Sequence, residues 1–271
     1  MTPPTAFVGA RIFDGARWYD DAALLAGPDG VEGIVAADAV GDRPVERLHG
    51  GMLVPGFVDL QVNGGGGVLI GPDTTVETIR TICATFAPFG TTALLPTLIT
   101  DTPETTERVI EAGARAAEAR IPGFLGLHLE GPHLSIARKG AHDPKLIRPM
   151  EEADLERLLA GRRRLPNLLT TVAAETVDPQ QIARLAGGGV VVSIGHSDAA
   201  YAQVEAAVEA GATMATHLFN AMSQIGNREP GLVGAVLADG RLNAGLIADG
   251  IHVHPESIGI ALRAKRGPGH I

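Results

Sequence analysis

The chain has 271 residues, a formal net charge of −9, 45% hydrophobic and 20% charged residues, and one cysteine, Cys83. This composition is ordinary for a globular protein, and the length is enough for one large α/β barrel or two smaller domains. The acidic balance disfavours nucleic acid and anionic membranes as partners, and a lone cysteine excludes an internal disulfide. Because we find neither a signal peptide nor a membrane-spanning apolar stretch, we expect a cytoplasmic protein.

The first 55 residues differ in pattern from the rest of the chain. They contain the short β-like pieces FVGARIFDG, AALLAG and VEGIVAADAV, which are broken by Gly and Asp-Gly turn signals. We therefore predict that residues 1–55 form the N-terminal part of a small β-sandwich domain. Residues 56–271 are predicted to form a separate barrel domain.

From Phe57 onward, apolar strands alternate with amphipathic helices, which is typical of a parallel sheet buried on both faces. The predicted strands are 57–62, 92–98, 124–130, 168–175, 190–196, 213–219 and 243–249. The predicted helices are 73–88, 103–119, 151–160, 178–186, 198–210 and 255–265. Asp101 or Thr102 is expected to cap the second helix, and Ser197 or Asp198 the fifth.

The strand count bears on the fold class. A closed (β/α)₈ barrel needs eight strands, and an eighth would begin about where the sequence stops. The fold class is therefore predicted as α/β: a TIM-like (β/α)₈ barrel that is incomplete at its C-terminus, before strand 8, with a small β-sandwich domain.

Polar residues recur at the ends of the predicted strands, where the active sites of such barrels lie. They are Gln61, Asn63, His128, Glu130, His196, His217, Asn220, Asp249 and His252. Among them, Glu130, His196 and His217 offer one carboxylate and two imidazoles, a ligand set that suits Zn²⁺ or Fe²⁺ and leaves positions open. Such an ion activates water and polarises a carbonyl, which is the chemistry of amide hydrolysis.

Six motifs occur in one order: PGFVDLQVNGGGG (55–67), LHLEGPHL (127–134), KGAHDP (139–144), SIGHSDA (193–199), THLFNAMS (216–223) and ADGIHVHP (248–255). Together they resemble the N-acetylglucosamine-6-phosphate deacetylases of the amidohydrolase superfamily. The resemblance implies a (β/α)₈ barrel with a small β-sandwich. It also implies hydrolysis of N-acetylglucosamine 6-phosphate to glucosamine 6-phosphate and acetate.

The resemblance also implies roles for individual residues. Glu130, His196 and His217 match the metal ligands, and Gln61 with Asn63 replaces an HxH pair, which implies one divalent ion. His142 matches a catalytic contact to the acetamide, and Arg228 and His252 match groups that hold the phosphate and sugar, partly across a homodimer interface. The complete set of implied substrate-binding residues is Gln61, Asn63, Ala141, His142, Asn220, Ala221, Arg228, Asp249, Gly250, Ile251 and His252.

One departure from the family pattern leaves other functions open. The family's general base is an Asp in a short strand-eight segment, and no such segment occurs in this sequence, so the activity of this chain is in doubt. The alternatives are another amidohydrolase, such as a cyclic-amide hydrolase or a nucleobase deaminase, or a non-catalytic remnant that binds a sugar phosphate. His133, His254 and His270 have no assigned role and are expected at the surface.

Overall fold

The computed structural model describes residues 4–28 and 30–265, and its contacts divide the chain into two units after Phe57. The first unit is made of short strands that form two small sheets, in the orders β5–β4–β1–β6 and β3–β2–β7. Its strands are β1 (Thr5–Val8), β2 (Arg11–Phe13), β3 (Trp18–Tyr19), β4 (Ala22–Gly27), β5 (Gly30–Ala36), β6 (Val45–Arg47) and β7 (Met52–Leu53). Alternate residues of β1 and β4, such as Ala6 and Leu25, are buried in a small core.

The second unit is built on one sheet of seven strands. These are β8 (Phe57–Val62), β11 (Thr91–Ile99), β12 (Leu127–Glu130), β13 (Leu168–Val172), β14 (Val191–Ile194), β15 (Met214–Ala215) and β16 (Asn243–Ala244). They lie in sequence order across the sheet, and every pair from β11 to β16 is parallel. A small hairpin of β9 (Gly64–Gly65) and β10 (Val68–Leu69) follows β8.

Seven α-helices and two 3₁₀ turns connect these strands in the described part of the chain. The helices are α1 (Val76–Phe86), α2 (Pro103–Glu118), α3 (Glu152–Arg164), α4 (Pro179–Gly187), α5 (Tyr201–Glu209), α6 (Gly231–Ala238) and α7 (Pro255–Ala264). Each buries apolar residues, for example Ile79 and Ile82 on α1 and Ile182 and Leu185 on α4. Strands and helices share one hydrophobic core, as expected for a parallel sheet covered by helices.

The predicted fold class is confirmed, and each predicted barrel strand has a counterpart in the sheet. Among the described residues, β8 and β16 form the two edges and do not pair with each other, so the sheet is an open barrel wall. The last two strands are shorter than predicted, with two residues each. Asp249 therefore lies beyond the end of a strand, in a turn region, rather than at a strand terminus.

One helix was not predicted, and two local predictions are wrong. Helix α6 was not predicted, because its sequence GLVGAVLA is apolar on every face and shows no amphipathic period. Neither Ser197 nor Asp198 caps α5, which begins only at Tyr201. His133 is buried, with 2% of its surface exposed, whereas His270 lies outside the described residues.

The predicted cap of α2 is confirmed. The Thr102 side chain accepts the backbone N–H of Thr105 and caps α2, with Pro103 in the first turn. Cys83 is buried in the apolar core, and burial raises the pKa of its thiol to about 11, so it is not a nucleophile at neutral pH. Within residues 4–28 and 30–265, we find no helix with the length and apolarity that crossing a membrane requires.

Candidate metal centre

Three side chains converge at one edge of the seven-stranded sheet. Glu130 is the last residue of β12, while His196 and His217 each follow their strand, β14 or β15, by two residues. Because the strands are parallel, their carboxyl ends meet at the same edge. All three side chains are buried.

The ligand atoms of these three residues are almost in contact. The distance from Glu130 Oε1 to Nε2 is 3.2 Å for both His196 and His217. The two Nε2 atoms are 3.0 Å apart. A carboxylate oxygen and two imidazole nitrogens therefore face one point.

The hydrogen-bond partner of Nδ1 determines where the proton of each imidazole lies. His196 Nδ1 is 2.8 Å from the carbonyl oxygen of Arg138, and His217 Nδ1 is 3.0 Å from that of Asn220. A carbonyl oxygen can only accept, so each Nδ1 carries a hydrogen and, in the neutral ring, each Nε2 carries a lone pair. Two lone pairs and a carboxylate oxygen at this separation repel one another unless a cation lies between them. The donor set therefore fits a divalent metal ion.

His142 has the opposite tautomer. Its Nδ1 accepts the backbone N–H of Thr100 at 3.2 Å and lies 2.7 Å from the Thr100 hydroxyl. The proton of the neutral ring is therefore on Nε2, which lies 3.6 Å from Glu130 Oε2. Possible ligand atoms of Glu130, His142 and His196 lie within 4.8 Å of one another. The tautomer nevertheless makes His142 a hydrogen-bond donor, so His217 is the better third ligand.

Glu130 is held in its ionised form. Burial raises the pKa of its carboxyl, but the nearby Nε2–H of His142 is the largest of the contributions that outweigh burial and hold that pKa well below its usual range. Gln61 on β8 also donates its side-chain amide to Glu130 Oε1 at 2.9 Å. A buried, ionised carboxylate can bind a cation through its oxygen atoms.

A buried network of hydroxyl groups lies beside the cluster. His128 Nδ1 donates to the Leu60 carbonyl at 3.0 Å, and its Nε2 is 2.7 Å from Thr171 Oγ1. The Thr171 hydroxyl contacts that of Thr216, which in turn contacts Ser193. Burial lowers the pKa of His128 to about 4, so the ring is neutral and links strands rather than carrying charge.

Backbone strain is concentrated around the cluster. His196 and His217 have φ values of 46° and 38°, and Phe219 and Ala221 also have positive φ. Residues other than glycine adopt this region at a cost, and such outliers persist where the surrounding structure holds them, often at functional sites.

The structure brings some predicted site residues together and leaves others apart. Glu130, His142, His196, His217 and Gln61 form one contact cluster. Asn220 and Ala221 lie beside it through their carbonyls, which accept from His217 Nδ1 and from the Ser197 N–H.

The remaining predicted substrate residues have no hydrogen bond or ion pair with the cluster among the described residues. They are Asn63, Ala141, Arg228, Asp249, Gly250, Ile251 and His252, and all of them are exposed. His252 Nδ1 pairs with Asp249 Oδ2 at 2.6 Å, and Ile251 is 85% exposed. Neither Thr100 nor the Arg138 carbonyl was predicted from the sequence, because a backbone group that orients a side chain leaves no motif.

Comparison with known proteins identifies the family. A sequence model of the amidohydrolase family matches residues 52–270, most of the chain. The chain belongs to the amidohydrolase family, in the branch of the amino-sugar-6-phosphate deacetylases. It is 46% identical to an N-acetylgalactosamine-6-phosphate deacetylase from Shewanella sp. strain ANA-3, over 100% of this chain and 70% of the relative.

Two further relatives support this branch of the amidohydrolases. An N-acetylglucosamine-6-phosphate deacetylase from Haemophilus influenzae is 39% identical, over 80% of this chain and 57% of the relative. The crystal structure of the corresponding enzyme from Pasteurella multocida is 35% identical with a TM-score of 0.92, and the match covers 97% of this chain and 69% of that one. The chain thus spans between about half and about two thirds of the length of these relatives.

Proposed function

We propose that this chain is the metal-binding barrel of an amino-sugar-6-phosphate deacetylase, which hydrolyses the acetamide of its substrate and releases acetate. The observation that carries the proposal is the division of tautomers around Glu130. Two imidazoles present lone pairs to one point, and a third presents an N–H beside it. That arrangement supports a cation site with an adjacent hydrogen-bond donor, as hydrolysis of an amide requires.

We propose that Glu130, His196 and His217 hold one divalent ion, Zn²⁺ or Fe²⁺. When bound, the ion supplies Lewis-acid chemistry and activates a water molecule. The Gln61 amide donates to Glu130, and a donating N–H₂ group is not a metal ligand. This contact supports a single ion rather than a pair.

His142 would act on the substrate directly. Its Nε2–H faces the Glu130 carboxylate at the cluster and could donate to the acetamide oxygen as negative charge develops there. Thr100 keeps Nδ1 an acceptor, so the donating proton stays on Nε2.

The remaining predicted residues would bind the sugar and its phosphate. We propose that Arg228 and His252 bind the 6-phosphate, and that Asn63, Ala141, Asn220, Ala221, Asp249, Gly250 and Ile251 surround the sugar. Arg228 is exposed and has no ion pair among the described residues, which leaves its guanidinium free for an anion. The resemblance implies that this contact lies partly across a homodimer interface. A homodimer is therefore part of the proposal, and a cytoplasmic location stays a prediction from sequence.

The identity of the hexosamine has two candidates. The resemblance in the motifs indicates N-acetylglucosamine 6-phosphate. The 46% identity to a deacetylase of N-acetylgalactosamine 6-phosphate favours its epimer as a second candidate. Acetate release from both sugars, compared as kcat/KM with Zn²⁺ or Fe²⁺ present, decides between them.

The experiment that tests the metal site is metal analysis of the purified protein. We expect about one ion per chain, and we expect His196→Ala and His217→Ala to weaken zinc binding sharply. The matched control is Glu152→Gln, an exposed residue paired with Arg184 outside the cluster. Full zinc content in the double His196→Ala, His217→Ala variant would contradict the proposal.

Hydrolysis of a cyclic amide or a nucleobase instead of the sugar would favour the alternative amidohydrolase. Sugar-phosphate binding without metal would favour the non-catalytic remnant.

A further inference from the structure

His196 needs support that its own strand does not provide. It lies two residues beyond β14 and has a φ of 46°, in the left-handed region that disfavours a side chain. The backbone at the next two residues, Ser197 and Asp198, must therefore be held from outside the strand. We propose that Glu175 is a positioning residue for His196, acting together with the Arg138–Asp198 ion pair. This inference rests on the proposed metal site.

The first support comes from Glu175, which follows β13 and is only partly buried. Its Oε2 accepts the hydroxyl of Ser197 at 2.5 Å, and its Oε1 accepts the backbone N–H of Asp198 at 2.6 Å. Both oxygens of one carboxylate are therefore used on the two residues directly after His196. Bonds to an ionised acceptor are about twice as strong as neutral ones.

The hydroxyl of Ser197 extends this support. It also accepts the backbone N–H of Ala174 and of Ala199, each at 3.3 Å. The Ser197 side chain is fully buried, so these partners cannot be replaced by water at no cost. Ser197 thereby connects the segment after His196 to the end of β13.

The second support comes from the loop that contains Arg138. The Arg138 carbonyl accepts from His196 Nδ1 at 2.8 Å, and its guanidinium binds Asp198 Oδ1 at 2.8 Å. Gly140, at φ 56°, lets this loop cross the imidazole, because a Cβ there would lie 3.1 Å from His196 Cε1. Arg138 therefore holds the ring of His196, while Glu175 holds the two residues that follow it, and both partners bind Asp198.

The sequence predicts that Ser197 or Asp198 caps α5, and these contacts explain why neither of them does. Their polar groups are already engaged with Glu175 and Arg138, so the helix starts only at Tyr201. Partners that orient a metal-binding histidine typically alter metal affinity by about 10- to 100-fold when they are removed. We therefore assign Glu175 and Asp198 to the metal centre, although neither belongs to the proposed ligand set.

The test measures zinc affinity of the metal-free 271-residue protein by competition with a chelator. In Glu175→Gln the amide offers one acceptor and one donor, so one of the two bonds must break. We expect zinc to bind about 10- to 100-fold more weakly, and Asp198→Asn to weaken it by a smaller factor. The control Glu152→Gln removes one carboxylate from an exposed ion pair between α3 and α4 and should leave the affinity unchanged.

Two further measurements separate positioning from general stability. The metal-free thermal midpoint of Glu175→Gln should match that of Glu152→Gln within a few degrees, whereas its gain in midpoint on adding zinc should shrink. The visible absorption of bound Co²⁺ should change in intensity, because it reports ligand geometry. If Glu175→Gln does not fold, Ser197→Ala keeps the carboxylate and removes its hydroxyl partner, and we expect about tenfold weaker zinc binding.

His196→Ala is the reference that distinguishes the two proposals. If His196→Ala leaves zinc binding intact, the metal site itself is wrong. If His196→Ala abolishes binding while Glu175→Gln and Ser197→Ala bind zinc as tightly as Glu152→Gln, only the positioning role of Glu175 is overturned.

Discussion

Three buried imidazoles surround Glu130, and the hydrogen-bond partner of each Nδ1 gives its ring a different role. His196 and His217 donate from Nδ1 to carbonyls, whereas His142 accepts the Thr100 N–H. Metal ligation needs a lone pair at Nε2, and substrate polarisation needs a proton there. The same residue type therefore serves two purposes within one cluster.

The first prediction for a single residue concerns His142. We expect His142→Ala to retain zinc affinity within a few-fold of the unmodified protein, because its Nε2 is a donor rather than a ligand. Acetate release should fall by about 10²–10³-fold through loss of a donor to the developing charge. Chelator competition and an acetate assay measure the two effects. Zinc loss as complete as that of His196→Ala would instead make His142 the third ligand.

The second prediction concerns Arg228. A guanidinium makes charge-assisted bonds worth roughly 1.5–3 kcal/mol each to a phosphate, so Arg228→Ala should weaken binding of the amino-sugar 6-phosphate by about 10- to 150-fold. Binding of the unphosphorylated sugar should change little, and Arg228→Lys should recover part of the loss as a point charge. Calorimetric titration with both sugars is the measurement. Equal losses on the two sugars would mean that Arg228 has a structural role.

At the scale of elements, the first turn of α3 is tied to the preceding loop through Asp154. This carboxylate accepts both Nη groups of Arg148 and also Arg157 Nη1. Burial raises the pKa of Asp154, but the hydrogen bonds from Arg148 and from the Glu151 N–H outweigh burial and lower this pKa to about 2. A carboxyl with a lowered folded-state pKa stabilises the protein above its ordinary pKa and loses that contribution as the pH falls.

The prediction for this element is therefore dependent on pH. Asp154→Asn should reduce the free energy of unfolding by about 1–3 kcal/mol at pH 7, because Arg148 loses its charged partner. The difference from the unmodified protein should shrink as the pH falls from 3.8 towards about 2, where Asp154 becomes protonated. Urea unfolding of metal-free protein at several pH values measures it. The exposed Glu152→Gln variant should change the free energy of unfolding much less, and an equal effect of the two changes would argue against the role of Asp154 in holding α3.

At the scale of the whole molecule, the open sheet is the dominant feature. In the described chain, β8 and β16 are sheet edges, and Phe57 and Val58 on β8 are 67% and 56% exposed. An apolar edge with unpaired N–H and C=O groups is a template for association with other chains. We expect concentration-dependent self-association of the 271-residue protein by light scattering, and a decrease in Val58→Lys. Monodisperse behaviour of both proteins that is independent of concentration would contradict this expectation.

The last prediction concerns turnover. The resemblance implies a general-base Asp in a strand-eight segment that this sequence does not contain. General acid–base catalysis contributes typically about 10²–10⁴-fold, so we expect the 271-residue protein to release acetate that much more slowly than the Haemophilus influenzae relative. Added Zn²⁺ or Fe²⁺ should not restore the rate. Comparable rates would mean that another group, such as His142, accepts the proton.

The alternation of apolar strands and amphipathic helices was sufficient to predict the class of fold and all seven barrel strands. Burial on both faces gives parallel strands a continuous apolar pattern, which is visible in sequence. Helix α6 was not predicted because a helix that is apolar on every face has no amphipathic period in its sequence. The last two strands were predicted too long, because an apolar run in the sequence does not show where strand pairing ends.

The sequence by itself determined the family, the fold class and the identity of the residues that form the cluster, because motif order and strand ends are local properties of the chain. Only the tertiary structure decided the proton positions on the three imidazoles and the support of His196 by Glu175 and Arg138. Those features depend on backbone carbonyls, amide groups and side chains that are distant in sequence and carry no motif. Hydrogen-bond partners, rather than residue type, determine what a buried histidine does, and partners exist only in the folded chain.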